Sequence, residues 1–442
     1  MNEPSSPSTC LGCGCACDDI VVVVRDGRIA EARNTCALGK RWFGDGMVSR
    51  EVLVRGESVT VEEALDAAAE LLGEARRALV YLAPDISCET QRAAVALGDQ
   101  LHGVVDSITS STVAGGTLAA QRRGRPSATL GEIRNRADVL VFWGVDPAER
   151  YPRFLSRYAP DPVGIFVPGG RSDRTVIAVD IGDERGPEDA DVRIALAPED
   201  EQRAVAVLRA ATLKRAAAAA RKEEEPEGKL AALTERLDSA RYAVIVYDAE
   251  PRERDDGRAR SDGRAARDTS WRAESFIALA QQLNASIRCS LMALRGGGNR
   301  NGAEAVMTWQ TGYPMTVDYS RGAPRYRPDE GAVKLIEREA VDAILIVGNA
   351  RAAGIPSNGK VRRVAIGPWA SQADPAAEVA IDTGVAGIHE GGMAFRMDDI
   401  PLPLRPSLPG PPAAPDTAFV LEALGARIRA HSHAGSPKGG SR

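Results

Sequence analysis

Residues 133–150, IRNRADVLVFWGVDPAER, and residues 336–354, IEREAVDAILIVGNARAAG, are two versions of one phrase. Each starts as an amphipathic helical stretch, runs into a short strand that is apolar at nearly every position, and ends in a loop just past a glycine. A strand without apolar/polar alternation is buried on both faces, as in parallel sheets covered by helices. The same grammar recurs in the strands ALVYLAP (78–84), TVIAVD (175–180), YAVIVY (242–247) and VRRVAIG (361–367), and in the helix ETQRAAVALGDQLHG (89–103). The expectation is more than one parallel sheet of βαβ units. The repeat argues for two, although any two βαβ units share this much, and ligands of such sheets bind beyond the carboxyl ends of the strands.

The chain has 442 residues, 44% hydrophobic, with a formal net charge of -5. That length is enough for two or three domains, and the composition is that of an ordinary globular protein. Nothing in the charge favours nucleic acid. No apolar run approaches the roughly 20 residues that span a bilayer, and the polar start MNEPSSPST has no signal-peptide character, so a cytoplasmic location is expected.

Residues 20–34, IVVVVRDGRIAEARN, read as a hairpin turning at Asp26-Gly27. Thr60 with Glu63 forms a capping box that opens a helix. Two charged runs, at 214–230 and 250–268, have the composition of surface insertions. The tail beyond residue 408 brackets one helix with Pro/Gly-rich sequence, where His431 and His433 are read as solvated.

Five of the seven cysteines fall before residue 37, a crowding that argues for metal rather than disulfides in a reducing compartment. Cys10, Cys13, Cys17 and Cys36 form CxxCxxxC, 18 intervening residues and a fourth cysteine. Thiolates at this spacing suit a [4Fe-4S] cluster or a tetrahedral zinc ion. Cys15 makes other groupings available, and four unliganded thiols in a small hairpin module are the remaining alternative.

The phrases CACDDIVVVVRDGRI (15–29) and NTCALGKRWF (34–43) resemble the amino terminus of the B subunit of formylmethanofuran dehydrogenase, a relative of molybdopterin-dependent formate dehydrogenases. The resemblance continues in the same order through residues 129–158, 170–180, 307–326 and 391–405. It implies a molybdopterin-oxidoreductase-like α/β fold, with a small amino-terminal β module and two Rossmann-like α/β domains corresponding to formate dehydrogenase domains I to III. The implied division is 1–55 for the cysteine module, 56–113 with 335–407 for a discontinuous α/β domain, 114–334 for an inserted one, and 408–442 for the tail. The charged insertions fall near 213–230 and 249–269.

In that family, the cysteines matching Cys10, Cys13, Cys17 and Cys36 hold a [4Fe-4S] cluster that serves a tungsten or molybdenum bis-pterin. The metal-binding cysteine and catalytic histidine fall where SSTVAGGTL (110–118) has Ala114 and Gly115. A methyl group cannot ligate the metal and glycine has no side chain to carry a proton. Ser110, Ser111 or Thr112 is the alternative source of an oxygen ligand, but each lies two or more positions from Ala114 and none replaces the histidine. The Mo/W bis-pterin is therefore expected to be absent, with a [4Fe-4S] cluster or Zn at the amino-terminal cysteines still open. Arg295, in LMALRGGGNRNG (291–302), matches an arginine near the family's metal and is read as an anion or former pterin-site residue, or as a buried salt-bridge partner. Glycines 296–298 are weak phosphate signals, and Trp309, Tyr313, Asp318 and Tyr319 are read as ordinary core residues or as the rim of an emptied cavity.

The resemblance implies the B subunit of a formyltransferase/hydrolase complex in tetrahydromethanopterin- and methanofuran-linked one-carbon metabolism. Its expected partners are A, C and D subunits and, through them, a methanofuran-type carrier. The B subunit would serve as a non-catalytic scaffold; the alternative is a redox-active protein with Mo/W bis-pterin and [4Fe-4S].

Overall fold

The computed structural model describes residues 7–212, 226–250, 264–356, 359–408 and 415–434. The cores of the two charged insertions and the last residues of the tail lie outside them. The chain forms two compact units, one from Met1–Ser111 with Gly297–Arg442 and the other from Thr112–Gly296. Among the described residues no helix is long and apolar enough to cross a membrane.

In the first unit, the described residues make a nine-stranded sheet. From one edge its order is Arg325–Tyr326, Val317–Asp318, Val104–Ser107, Ala78–Leu82, Ala343–Val347, Arg362–Gly367, Val379–Asp382, Val52–Val54 and Glu57–Ser58. The five middle strands are parallel and the outer pairs antiparallel. Numbered along the chain, the parallel strands run 2-1-3-4-5, so the winding reverses between Ala78–Leu82 and Ala343–Val347. Period-two alternation explains why these strands are apolar throughout. Val80 and Leu82 face the helices Val61–Gly73, Cys88–Gln100 and Thr417–Ala434, whereas Leu79 and Tyr81 face Leu335 and Ile336. The expected capping box is present, with Thr60 Oγ1 accepting from Glu63 N at 3.2 Å and Thr60 N donating to Glu63 Oε2 at 2.9 Å.

The expected amino-terminal hairpin also forms, Val21–Arg25 against Arg28–Arg33, with Asp26 and Gly27 both at positive φ. It leads from the cysteine loop, which lies on a second hairpin, Gly392–Phe395 with Pro401–Leu404.

The second unit has a five-stranded, wholly parallel sheet among its described residues. Its order is Arg288–Leu294, Tyr242–Asp248, Val139–Trp143, Thr175–Ile181, Val192–Leu196. Along the chain this is 5-4-1-2-3, with the reversal between Val139–Trp143 and Tyr242–Asp248. Helices Ala114–Arg123 and Arg264–Leu283 cover one face through Ala119, Ala273, Phe276 and Ala280, and Phe276 meets the Trp143 ring edge-on at 5.3 Å. The two copies of the repeated phrase therefore supply the middle strand of each sheet.

Candidate functional site

The cysteine loop is built by short backbone links. Cys10 N donates to Cys17 O at 2.9 Å and Ala16 N to Cys13 O at 3.1 Å, which folds CxxCxxxC into one turn. Cys36 opens helix Ala37–Phe43 as its N-cap residue. Glycine is required where that helix meets the loop: a Cβ on Gly39 would fall 3.2 Å from Cys10 Sγ and 1.9 Å from Thr35 Oγ1. Cys10, Cys13, Cys15 and Cys17 are buried and Cys36 is half-buried. Burial pushes the Cys10 thiol well above the usual range, and Cys13, Cys17 and Cys36 add repulsion. These are the three partners that the spacing assigns to it. Cys15 is raised chiefly by its hydrogen bond with Cys13, then by burial, and Arg396 opposes the shift.

A donor set made of thiols alone suits zinc or an iron–sulfur cluster. Among the described residues no group of three or more His, Cys, Asp or Glu side chains is placed to hold a metal ion. A metal would also have to displace the proton that burial holds on the Cys10 thiol.

The loop is clamped from outside. Thr9 Oγ1 donates to Pro403 O at 2.9 Å and Met397 N to Gly14 O at 3.1 Å. Gly298 N donates to Leu11 O at 2.9 Å, while a Cβ on Gly297 would stand 2.9 Å from Gly12 O. Gly298, at φ +85, lies so close to Pro84 that a Cβ would be 2.2 Å from its carbonyl oxygen. Glycines 297 and 298 thus serve backbone-to-backbone packing. The next residue, Asn299, is fully buried, and no local sequence pattern marks it. Its Nδ2 donates to Ile86 O at 3.0 Å and Gln91 Oε1 at 3.3 Å, and its Oδ1 accepts from Phe395 N at 2.7 Å. A GGGN run offers only a faint signal for such a hub, because its partners are far away in sequence.

Ala114 and Gly115 open helix Ala114–Arg123. At Gly115 a Cβ would lie 2.8 Å from both Cα and Cβ of Ser270, and Gly116 faces the Ala273 methyl at 3.7 Å. The backbone of helix Arg264–Leu283 occupies the space a side chain at 115 needs.

Arg295 is buried beside Glu250, 3.9 Å from its carboxylate. Glu250 Oε2 also accepts from Gly296 N at 3.0 Å, and Arg150 pairs with both Asp248 and Glu250. This cluster sits beyond the carboxyl ends of Tyr242–Asp248 and Arg288–Leu294, next to the winding reversal. The corresponding crevice of the first unit holds buried Asp85, whose carboxylate accepts from Asn349 N at 3.0 and 3.2 Å and is pushed by burial to about 6.

The aromatic set divides. Tyr319 is buried, Tyr313 stacks on Tyr326 with centroids 5.0 Å apart, and Asp318 pairs with Arg77 at 3.1 Å. Trp309 corrects the expectation of a core position: it is 62% exposed, with its ring edge-on to Phe395. Its helix, Arg300–Thr311, buries Ala303, Val306 and Met307 instead, which turns position 309 to solvent. His431 is exposed as expected, and the side chain of His433 lies outside the described residues.

No family model matches the chain. Full-length relatives do. The chain is 31% identical to the B subunit of tungsten-containing formylmethanofuran dehydrogenase 2 of Methanocaldococcus jannaschii, over 95% of this chain and 97% of that one. It is 30% identical to the protein of the same description from Methanococcus maripaludis, over 94% and 96%. The B subunit of the formyltransferase/hydrolase complex Fhc of Methylorubrum extorquens is 27% identical over 77% of this chain and 86% of that one. A chain in the crystal structure of the Methylorubrum extorquens complex FhcABCD with methylofuran matches the fold with a TM-score of 0.69 at 22% identity, covering 86% of this chain and 99% of that one. The mixed α/β architecture is thus shared with a solved structure. By identity and span, the chain belongs to the formylmethanofuran dehydrogenase B-subunit family.

Proposed function

We propose that the chain is the B subunit of a formyltransferase/hydrolase-type complex in methanofuran- and tetrahydromethanopterin-linked one-carbon metabolism, and acts there as a non-catalytic scaffold. A molybdopterin-oxidoreductase-like fold, divided into cysteine module, discontinuous domain and inserted domain, is retained to hold A, C and D subunits together. The observation that carries this reading is Gly115, where the family's histidine would have to pass through the backbone of Ser270. Ala114 beside it removes the thiolate, and Arg295 beside Glu250 has a carboxylate in place of a cofactor anion.

The rival is a redox-active protein, favoured by relatives described as tungsten-containing and by the CxxCxxxC spacing with a fourth cysteine at 36, whose Cys13, Cys17 and Cys36 act electrostatically on Cys10. Iron, zinc, molybdenum and tungsten content of the purified complex separates the two. The scaffold reading expects no molybdenum or tungsten and no dye-linked formylmethanofuran oxidation. Stoichiometric tungsten or molybdenum with that activity would overturn it. Iron or zinc alone would assign the cysteines a structural metal.

A further inference from the structure

In the second unit, residues 161–170, DPVGIFVPGG, hold three large apolar side chains in water: Val163 is 61% exposed, Ile165 76% and Phe166 52%. They are three of the seven large exposed hydrophobics among the described residues, within four positions of sequence. Single exposed apolar residues are ordinary; a contiguous group of them is not.

The loop is held rigidly in this display. Buried Arg174 donates to four backbone carbonyls: Nη1 to Pro160 at 2.5 Å and Pro162 at 2.6 Å, Nη2 to Arg134 at 2.7 Å, and Nε to Ala137 at 3.1 Å. Phe166 N donates to Asn135 O at 2.9 Å, and Gly164 and Val167 exchange backbone bonds of 3.1 and 3.2 Å. At Gly164 the backbone lies so near its neighbour that a Cβ would be 2.1 Å from Arg134 O. The backbone that carries the apolar side chains is therefore tied in place, and binding them requires little new ordering of the main chain.

The rim is cationic. Arg136 lies over the Phe166 ring at 5.2 Å, and Arg241, paired with Asp138, reaches Phe166 O at 3.3 Å. Arg134 and Arg136 are exposed, and neither makes an ion pair among the described residues. An apolar centre bordered by three arginines, in excess of the interleaved Asp138 and Asp161, is the composition of a protein interface. The loop stands at the amino ends of the strands, since Thr175 N donates to Asp138 O beside it. It is thus at the opposite end of this sheet from Arg150, Asp248, Glu250 and Arg295.

We infer that the 161–170 loop is the anchor of a protein–protein interface, and that it takes a folded partner subunit presenting an apolar cleft bordered by carboxylates. This deepens the scaffold reading and rests on it. A lipid surface suits the loop less well, because Asp138 and Asp161 interleave with the arginines and the apolar residues do not form a helical face.

The test co-expresses the full chain with the A, C and D subunits and measures binding to each of them in purified form. Three forms are compared: wild type, the triple variant V163S/I165S/F166S, and Arg136→Glu, which leaves the apolar centre intact. Support is a rise of at least about thirty-fold in the Kd of one of the three for the triple variant, with the other two and the melting temperature unchanged. Arg136→Glu should raise the same Kd several-fold and flatten its salt dependence. Unchanged binding of all three by both variants overturns the anchor and leaves the scaffold standing. Failure of the wild-type chain to bind any of them overturns both. Self-association of the chain, or adhesion to anionic phosphatidylserine vesicles, that the triple variant abolishes overturns the assignment to a folded partner.

Discussion

Glu390 and Thr417 are joined twice: both the backbone N–H and the hydroxyl of Thr417 donate to Glu390 Oε1, at 2.9 and 2.8 Å. The contact seats the start of helix Thr417–Ala434, whose Val420, Leu421 and Leu424 complete the core of the first unit. Glu390 is nevertheless pushed up to about 8, first by burial and then by Asp416, with Thr417 opposing. Asp85 is raised to about 6 by the same cause.

Both groups hold a proton more tightly in the folded chain than in the unfolded one, so their contribution to stability is full at low pH and is lost as pH rises. The window runs from the unfolded carboxylate range, near 4, to about 8 for Glu390 and about 6 for Asp85. Each bends the stability curve by at most about 1.4 kcal/mol per pH unit. Urea unfolding of wild type and Glu390→Gln between pH 5 and 8 should show a shallower decline for the variant. Parallel curves would refute the assignment.

Asn299→Ala should destabilise the first unit by about 2–4 kcal/mol, because it leaves the Phe395 N–H and the Gln91 and Ile86 oxygens buried without their partner. Asn299→Asp keeps the acceptor for Phe395 and loses only the donors, so it should cost less at acid pH than at neutral pH. Thermal unfolding followed by circular dichroism reads both.

Gly115→Ala should lower the stability of the second unit by about 1–3 kcal/mol through overpacking against the Ser270 backbone. The double change Ala114→Cys, Gly115→His should therefore fail to recruit tungsten and should melt earlier still. Recovery of stoichiometric tungsten without loss of melting temperature would show that this position retains room for the chemistry.

Arg174→Lys keeps the charge but cannot reach four carbonyls from one planar fork, so it should cost about 2 kcal/mol. Amide exchange should quicken at Phe166 and Val167 before it does at strand Thr175–Ile181. Uniform exchange across both segments would mean that Arg174 braces the sheet rather than the loop.

Local chemistry carries most of what is legible in the sequence. The stretches 78–84, 137–144, 175–180, 242–247, 342–348 and 361–367 read as strands and supply the strands Ala78–Leu82, Val139–Trp143, Thr175–Ile181, Tyr242–Asp248, Ala343–Val347 and Arg362–Gly367, because runs buried on both faces announce themselves in composition. The Thr60 cap and the Asp26-Gly27 turn are equally visible, since both depend on neighbours within three residues. What stays hidden is long-range. Asn299 and Glu390 give no local sign of their partners, and Arg174 sits among residues that read simply as the approach to a strand. Trp309 departs from expectation because an aromatic suggests core, whereas helix phase turns it outward. At the cysteines, spacing picks out the thiols that surround Cys10, but spacing says nothing of how far apart the sulfurs rest.

The winding reversal in the first unit also governs the order of synthesis. Ala78–Leu82 emerges from the ribosome early, yet its neighbour Ala343–Val347 follows only after all of Thr112–Gly296 has been translated. The second unit contains every strand of its own sheet and can close while the first is half-built. Until then, Ala78–Leu82 is paired with Val104–Ser107 on one side and presents an apolar open edge on the other, the kind of surface on which chaperones act. Slowing translation between residues 112 and 296 should prolong that exposure, whereas slowing it after residue 347 should not.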